Sequence, residues 1–117
     1  MKDIIYKVSE EVERALLDEK PVVALESTVI SHGLPYPENI QTTLKMEEVV
    51  RKEGSIPATI GVLNGVVTVG LSQKEIEYLA DTNHTILKVG VGELDYAIGM
   101  EYSAATTVSA TSWIANF

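Results

Sequence analysis

Cysteine is absent from the 117 residues. That excludes a disulfide framework, a thiolate nucleophile and any cysteine-based zinc site, and it fits a reducing compartment, so the cytoplasm is the expected location. Basic residues are scarce: 9 Lys and Arg stand against 17 Asp and Glu, for a formal charge of −8. A nucleic-acid backbone or an anionic membrane needs clustered cations, so neither is an expected partner. Long apolar runs are missing as well. No stretch approaches the ~18 residues of a spanning helix, and the mixed, acidic opening after Met1 lacks the basic-then-apolar order of a signal peptide. Metal motifs are thin, with His32 and His84 the two histidines and no HxxxH or HxxE spacing. No GxSxG, GxGxxG or GxxxxGKS occurs, which removes the nucleophile elbow and the common nucleotide-phosphate loops. Repeats and low-complexity tracts are also lacking. What remains is one domain of ordinary globular composition, 45% hydrophobic and 22% charged.

Ile4, Ile5, Val8, Val12, Leu16 and Leu17 recur at three- and four-residue spacings, which predicts an amphipathic helix over 3–18 capped by Asp3. Pro21 ends it, and the unbroken run Val22-Val23-Ala24-Leu25 reads as a strand buried on both faces. Ser27 to Pro37, with Gly33, Pro35 and Pro37, reads as a loop, and Pro37 opens a second helix that ends at Gly54. Asn64-Gly65 between β-branched runs at 58–63 and 66–70 predicts a hairpin. Ser72-Gln73-Lys74-Glu75 reads as a capping box at the start of a third helix. A strand over 85–89 and helices over roughly 93–101 and 106–116 complete an α/β fold, layered α/β/α with a mixed central sheet, in which ligands sit beyond the carboxyl ends of strands. The apolar run from Ser109 to Phe117, with Trp113 and Ile114, carries no closing cap. An exposed patch there implies a protein partner or a longer chain.

Glu26 directly follows the apolar strand, where partial desolvation favours the neutral acid that a proton donor must be; a strand-end carboxylate solvated at the sheet edge or capping a neighbouring helix is the alternative. The loop after it gathers Ser27, Thr28, Ser31 and His32. His32 is read either as a proton carrier or ligand or as a side chain that bonds its own backbone in the loop. Lys88 lies inside the apolar strand Ile86-Leu87-Lys88-Val89, so its ammonium needs an anion or a path to water. Ala104-Ala105-Thr106-Thr107-Val108 places small residues and two hydroxyls at an expected helix start, either as free N–H groups for an anion or with Thr106 as a plain N-cap.

The string VALESTVISHGLPYPEN, Val23 to Asn39, resembles the opening motif of the pseudouridine-5'-phosphate glycosidase family, whose members read ALEST, then HGLP, then P-x-N. The likeness continues through GSIPATIGVLNGVVTVGL, the Ser-capped helix and Lys88 to Thr106-Thr107-Val108-Ser109-Ala110-Thr111, and covers nearly the whole chain. It implies reversible cleavage of the C–C glycosidic bond of pseudouridine 5'-phosphate to uracil and ribose 5-phosphate, a step of nucleoside catabolism, with manganese as cofactor and a homotrimeric assembly. It also implies that Glu26 is the proton donor, that Lys88 contacts the substrate, and that Thr106, Thr107 and Val108 hold its phosphate.

The family's nucleophilic lysine, which forms an imine with the ring-opened sugar, and its metal-holding aspartate lie in a part that would follow Phe117. Residues 1–117 are therefore expected to be the N-terminal part of a single glycosidase-like domain, incomplete at its C-terminus. The alternative is an inactive module that binds a phosphorylated sugar or a protein partner. The chain departs from the family pattern K-x-S-x-R-D-L by reading Lys88-Val89-Gly90-Val91-Gly92-Glu93-Leu94, and it has Ala104-Ala105 in place of a glycine pair.

Overall fold

A computed structural model of the chain describes residues 5–116. The hairpin appears where Asn64-Gly65 places it: β3 (Ile56–Leu63) turns back into β4 (Val66–Val69) with Val62 opposite Val67. Asn64 at φ 48° and Gly65 at φ 83° take the left-handed backbone that a two-residue hairpin requires. A side chain at Gly65 would put its Cβ 2.8 Å from the Glu101 Cα, so the turn also needs glycine for space.

Before the hairpin come β1 (Tyr6–Val8), α1 (Glu10–Leu17), β2 (Val22–Leu25), one π-helical turn (Val29–Gly33) and α2 (Glu38–Lys52). After it come α3 (Gln73–Ala80), β5 (Ile86–Val89), a 3-10 turn (Val91–Glu93), α4 (Leu94–Gly99), β6 (Ser103–Thr106) and α5 (Val108–Ala115). The strands form one mixed sheet in the order β1-β4-β3-β6-β5, with β2 also paired to β3. Alternation along β3 sorts its two faces. Ile60 and Val62 pack with Leu94, Ala97 and Ile114 of α4 and α5, and α1 covers the same side through Val12. On the other face α2 and α3 bury Ile40, Leu44, Ile76 and Leu79 around Ile30 of the π-helical turn. The α/β/α layering is thus the one expected from the sequence.

Two strands and several boundaries differ from the sequence reading. The helix expected over 3–18 begins only at Glu10, because Ser9 caps it by accepting the Val12 N–H at 3.2 Å. The residues before Ser9 pair parallel with β4, Tyr6 opposite Val67, and so cover a strand edge that the hairpin leaves open. Asp3 and Ile4 lie outside the described residues. The loop over 27–37 contains the π-helical turn. The helix expected from 106 starts at Val108, since Ser103–Thr106 is a strand between β3 and β5. Its alanines, fully buried, carry no apolar periodicity, and a sequence pattern has nothing to register. The apolar end is largely covered: Ile114 is buried and Trp113 half-buried, while Phe117 lies outside the described residues.

The capping box forms as read, with Ser72 N–H donating to Glu75 Oε1 at 2.8 Å and Glu75 N–H to Ser72 Oγ at 3.2 Å. Glu75 also takes the Lys7 ammonium at 2.7 Å, tying α3 to β1. Burial works against its ionised form, but the Lys7 and Ser72 bonds outweigh it and hold the carboxyl below its ordinary value of 4.5. A carboxyl lowered in the folded state stabilises the fold above its unfolded value, and the contribution is lost as pH falls through the folded value. Glu75→Gln can keep the capping geometry but not the charge. The variant is expected to be less stable near pH 7 by about 0.5–1 kcal/mol, and the two proteins should converge in urea titrations taken below pH 4.5. A gap that persists in acid would show that the charge is not what matters.

Candidate active site

β2 and β6 run along β3 in opposite directions, with Leu25 opposite Thr59 and Ala105 opposite Gly61, and so they meet end to end. The junction is closed by hydrogen bonds. Ser27 N–H donates to the Thr106 carbonyl at 3.0 Å, Thr106 N–H donates to Ser27 Oγ at 2.8 Å, and the Thr28 hydroxyl donates to the Thr106 carbonyl at 3.1 Å. β5 lies parallel to β6 with Val89 opposite Thr106. Three strands therefore present their carboxyl ends at one place, a usual location for a site in such sheets.

Glu26 follows β2 at this junction and is half-buried. One carboxylate oxygen accepts the Thr28 N–H at 2.8 Å, which fixes the side chain against the start of its own loop and leaves the other oxygen without a hydrogen bond among the described residues. Thr106 is the last residue of β6 and is fully buried. Its hydroxyl donates to the Ile60 carbonyl at 2.7 Å and lies 2.8 Å from Thr111 Oγ1 and 3.3 Å from Ser27 Oγ. It is neither an N-cap nor available to a ligand, because all of its hydrogen-bonding capacity is used inside. The cap of α5 is Thr107, whose Oγ1 takes the Ala110 N–H at 3.5 Å. Thr107 is half-buried and Val108 is 70% exposed, so these two face solvent at the helix start.

Lys88 stands on β5, the sheet edge, opposite Ala105 and one residue before the strand end. Its side chain is exposed and makes no hydrogen bond or ion pair with another described residue, so its route to water is the open edge. By strand alternation it shares the face of Ile86, which packs toward α3 and the π-helical turn. His32 is exposed and bonds the Ile86 carbonyl through Nε2 at 3.0 Å. It pins the loop to β5, 54 positions away, rather than bonding the backbone of its own loop.

Glu26, Thr107 and Val108 thus follow the ends of β2 and β6, which Thr106 holds together, and Lys88 stands one residue short of the end of the neighbouring β5. Sequence reasoning missed the bracing by Ser27, which no local signal marks because its partner Thr106 is 79 positions away. A cleft of about 520 Å³ is lined by α2 and α3 side chains such as Ile40 and Glu77, and one of about 650 Å³ by α2 side chains such as Val49 together with Leu25, the last residue of β2. Among the described residues no three His, Asp or Glu side chains converge on a point that could hold a metal ion.

A family model described as "Indigoidine synthase A like protein" matches residues 11–117. The chain belongs to that family. Among the curated relatives of this indigoidine synthase A-like chain is a pseudouridine-5'-phosphate glycosidase from Thermosipho africanus, 54% identical over 109 residues, which are 93% of this chain and 36% of the relative. Another, from Escherichia coli K12, is 48% identical over 111 residues, 95% of this chain and 36% of the relative. Two crystal structures share the fold. An indigoidine synthase A-like protein from Thermotoga maritima superposes with TM-score 0.82 at 35% identity, and prealnumycin C-glycosynthase in complex with ribulose 5-phosphate with TM-score 0.84 at 37% identity. The alignments cover 96% and 97% of this chain and 36% of each structure. The chain therefore spans about a third of the length of these relatives. No helix among the described residues is long and apolar enough to cross a membrane.

Proposed function

We propose that the protein containing this chain cleaves the C–C glycosidic bond of pseudouridine 5'-phosphate reversibly, giving uracil and ribose 5-phosphate, and that residues 1–117 are the N-terminal part of that catalytic domain. The observation that carries the reading is the convergence of Glu26, the exposed start of α5 and the Lys88 strand end at the carboxyl ends of β2, β6 and β5. Cleavage consumes one water: the bonding electron pair leaves on the uracil carbon, where Glu26 delivers a proton, and the sugar carbon takes its hydroxyl from the water, whose remaining proton restores the Glu26 carboxyl. The sugar phosphate sits at the N-terminal amides of α5 beside Thr107 and Val108, with Lys88 as the cation that offsets its charge in an acidic protein. Thr106 acts without touching substrate, by holding Ser27 and Thr28, and through Thr28 the carboxylate of Glu26. Manganese belongs to the same reading, held by a residue outside 1–117, since the described residues show no group of three His, Asp or Glu that could hold a metal ion. Assembly as a homotrimer in the cytoplasm belongs to the same reading.

Lys88→Ala in the full-length protein is expected to weaken ribose 5-phosphate binding about 10- to 100-fold, the worth of a charge-assisted hydrogen bond. Stability should hardly move, because Lys88 has no partner among the described residues. Calorimetric titration checks the first and a melting curve the second; unchanged affinity would remove Lys88 from the site. For residues 1–117 taken alone, the short span of the relatives that they cover favours a second reading, a module that binds a phosphorylated sugar or a protein partner without chemistry. Uracil release by the 117-residue chain itself would overturn that second reading.

A further inference from the structure

We infer that the open edge of β2 is the seat of a further strand, supplied by the segment that follows residue 117 in the same polypeptide, an assignment that rests on the reading of residues 1–117 as the N-terminal part of a longer domain. Among the described residues β2 pairs with β3 alone. The Ile56 N–H donates to the Pro21 carbonyl at 2.9 Å and the Ser27 N–H to the Thr106 carbonyl at 3.0 Å, so the odd-numbered residues of this stretch turn their peptide groups toward β3 and β6. Alternation turns the N–H and C=O groups of Val22 and Ala24 the other way, where no described residue meets them. The other two outer strands are guarded. β1 carries Lys7 and β5 carries Lys88, charges that discourage edge pairing, and His32 takes the Ile86 carbonyl of β5. β2 reads Val-Val-Ala-Leu and has no charge on either face.

The surroundings of that edge are apolar on both sides of the sheet. Val22 and Ala24 share a groove of about 360 Å³ with Leu16 of α1 and Ile114 of α5, and Leu25 shares the cleft of about 650 Å³ with Met46 and Val49 of α2. Val49 is 49% exposed, so α2 carries apolar surface out past β2. A strand with apolar residues on both faces satisfies the free peptide groups and covers that surface at once. Its source follows from length and position. The chain spans 36% of its curated relatives, and α5 ends against β2, with Ile114 and Ala115 in the same groove as Val22 and Ala24. A chain that continues past α5 reaches the open edge without crossing the sheet, and it does so at the high effective concentration of an attached segment. A second copy of the chain would have a strand of four residues to hold by.

The test is residue-resolved hydrogen exchange on the full-length protein, beside photo-cross-linking from a diazirine-bearing residue in place of Val49, which leaves β2 itself unaltered. The Val22 and Ala24 amides are expected to exchange at least about 100-fold more slowly than unprotected amides, as paired strand positions do. Position 49 is expected to cross-link to a peptide beyond residue 117 of its own polypeptide, read from the mass of the linked product. Exchange of the two amides at the unprotected rate, cross-links that join two polypeptides, or cross-links confined to residues 1–117 would each overturn the pairing. An assay of uracil release separates this outcome from the reading beneath it. Uracil release by a protein whose Val22 and Ala24 amides exchange freely overturns the pairing and leaves the reaction, whereas protected amides and the expected cross-link in a protein that releases no uracil overturn the reaction and leave the pairing standing.

Discussion

Glu26→Gln in the full-length protein is expected to slow uracil release about 100- to 10,000-fold, the usual worth of a positioned proton donor, with ribose 5-phosphate binding within about twofold of wild type. The substitution separates geometry from chemistry. The Glu26 oxygen that matters to the fold accepts the Thr28 N–H at 2.8 Å, and the amide oxygen of glutamine can accept the same bond. The proton is what disappears, because an amide does not protonate a developing carbanion. The loss should therefore fall on kcat and on kcat/KM alike. Single-turnover assay of uracil alongside calorimetry with ribose 5-phosphate would show it, and turnover retained by the glutamine variant would take Glu26 out of the mechanism.

The second large effect is structural. Thr106→Val keeps the shape of the side chain and deletes its hydroxyl, leaving the Thr111 hydroxyl without its buried partner and the Ile60 carbonyl without the bond at 2.7 Å. A buried polar group left unsatisfied costs about 1–3 kcal/mol, so the variant is expected to lose about 2–4 kcal/mol in urea unfolding at unchanged m. Thr106→Ser retains the oxygen, gives up one methyl group and should lose about 1 kcal/mol. If valine were as stable as wild type while serine was destabilised, the methyl group rather than the hydroxyl network would be what matters at position 106. Since the Thr106 carbonyl also accepts from Ser27 and Thr28, any shift of β6 passes to the Glu26 loop. Thr106→Val should therefore lower uracil release too, through a residue that never meets the substrate.

Much of the fold was legible because its signals are local. Asn64-Gly65 demands positive φ, Ser72 and Glu75 satisfy each other across one helical turn, and Pro37 suits the entry of α2. The two strands that escaped notice have no such signal. β1 is three residues whose apolar spacing continues the phase of the helix behind it, and only the open edge of β4 makes it a strand. β6 is Ser-Ala-Ala-Thr, weak in strand propensity, and it is extended because it fills the slot between β3 and β5 under helices on both faces. The missed β6 also misplaced Thr106, since the same hydroxyl that could cap a helix there ends a strand instead.

The sequence by itself determined which chemistry is within reach: an acid at the end of a buried strand, a lysine in an apolar one, two adjacent threonines, and a run of family motifs from Val23 to Thr111. These follow from residue identity and near-neighbour spacing. Only the tertiary structure decided how they combine, because the pairing of β2 and β6 on β3 joins residues 79 positions apart, Ser27 with Thr106, and no local pattern encodes so distant a contact. That pairing turns Thr106 inward, leaves Thr107 and Val108 outward, and puts the Lys88 strand beside them. The division has a simple physical origin. A hydroxyl bonds whichever partner the sheet brings within 3 Å, and the sheet's order is set by burial of its two faces rather than by the threonine itself.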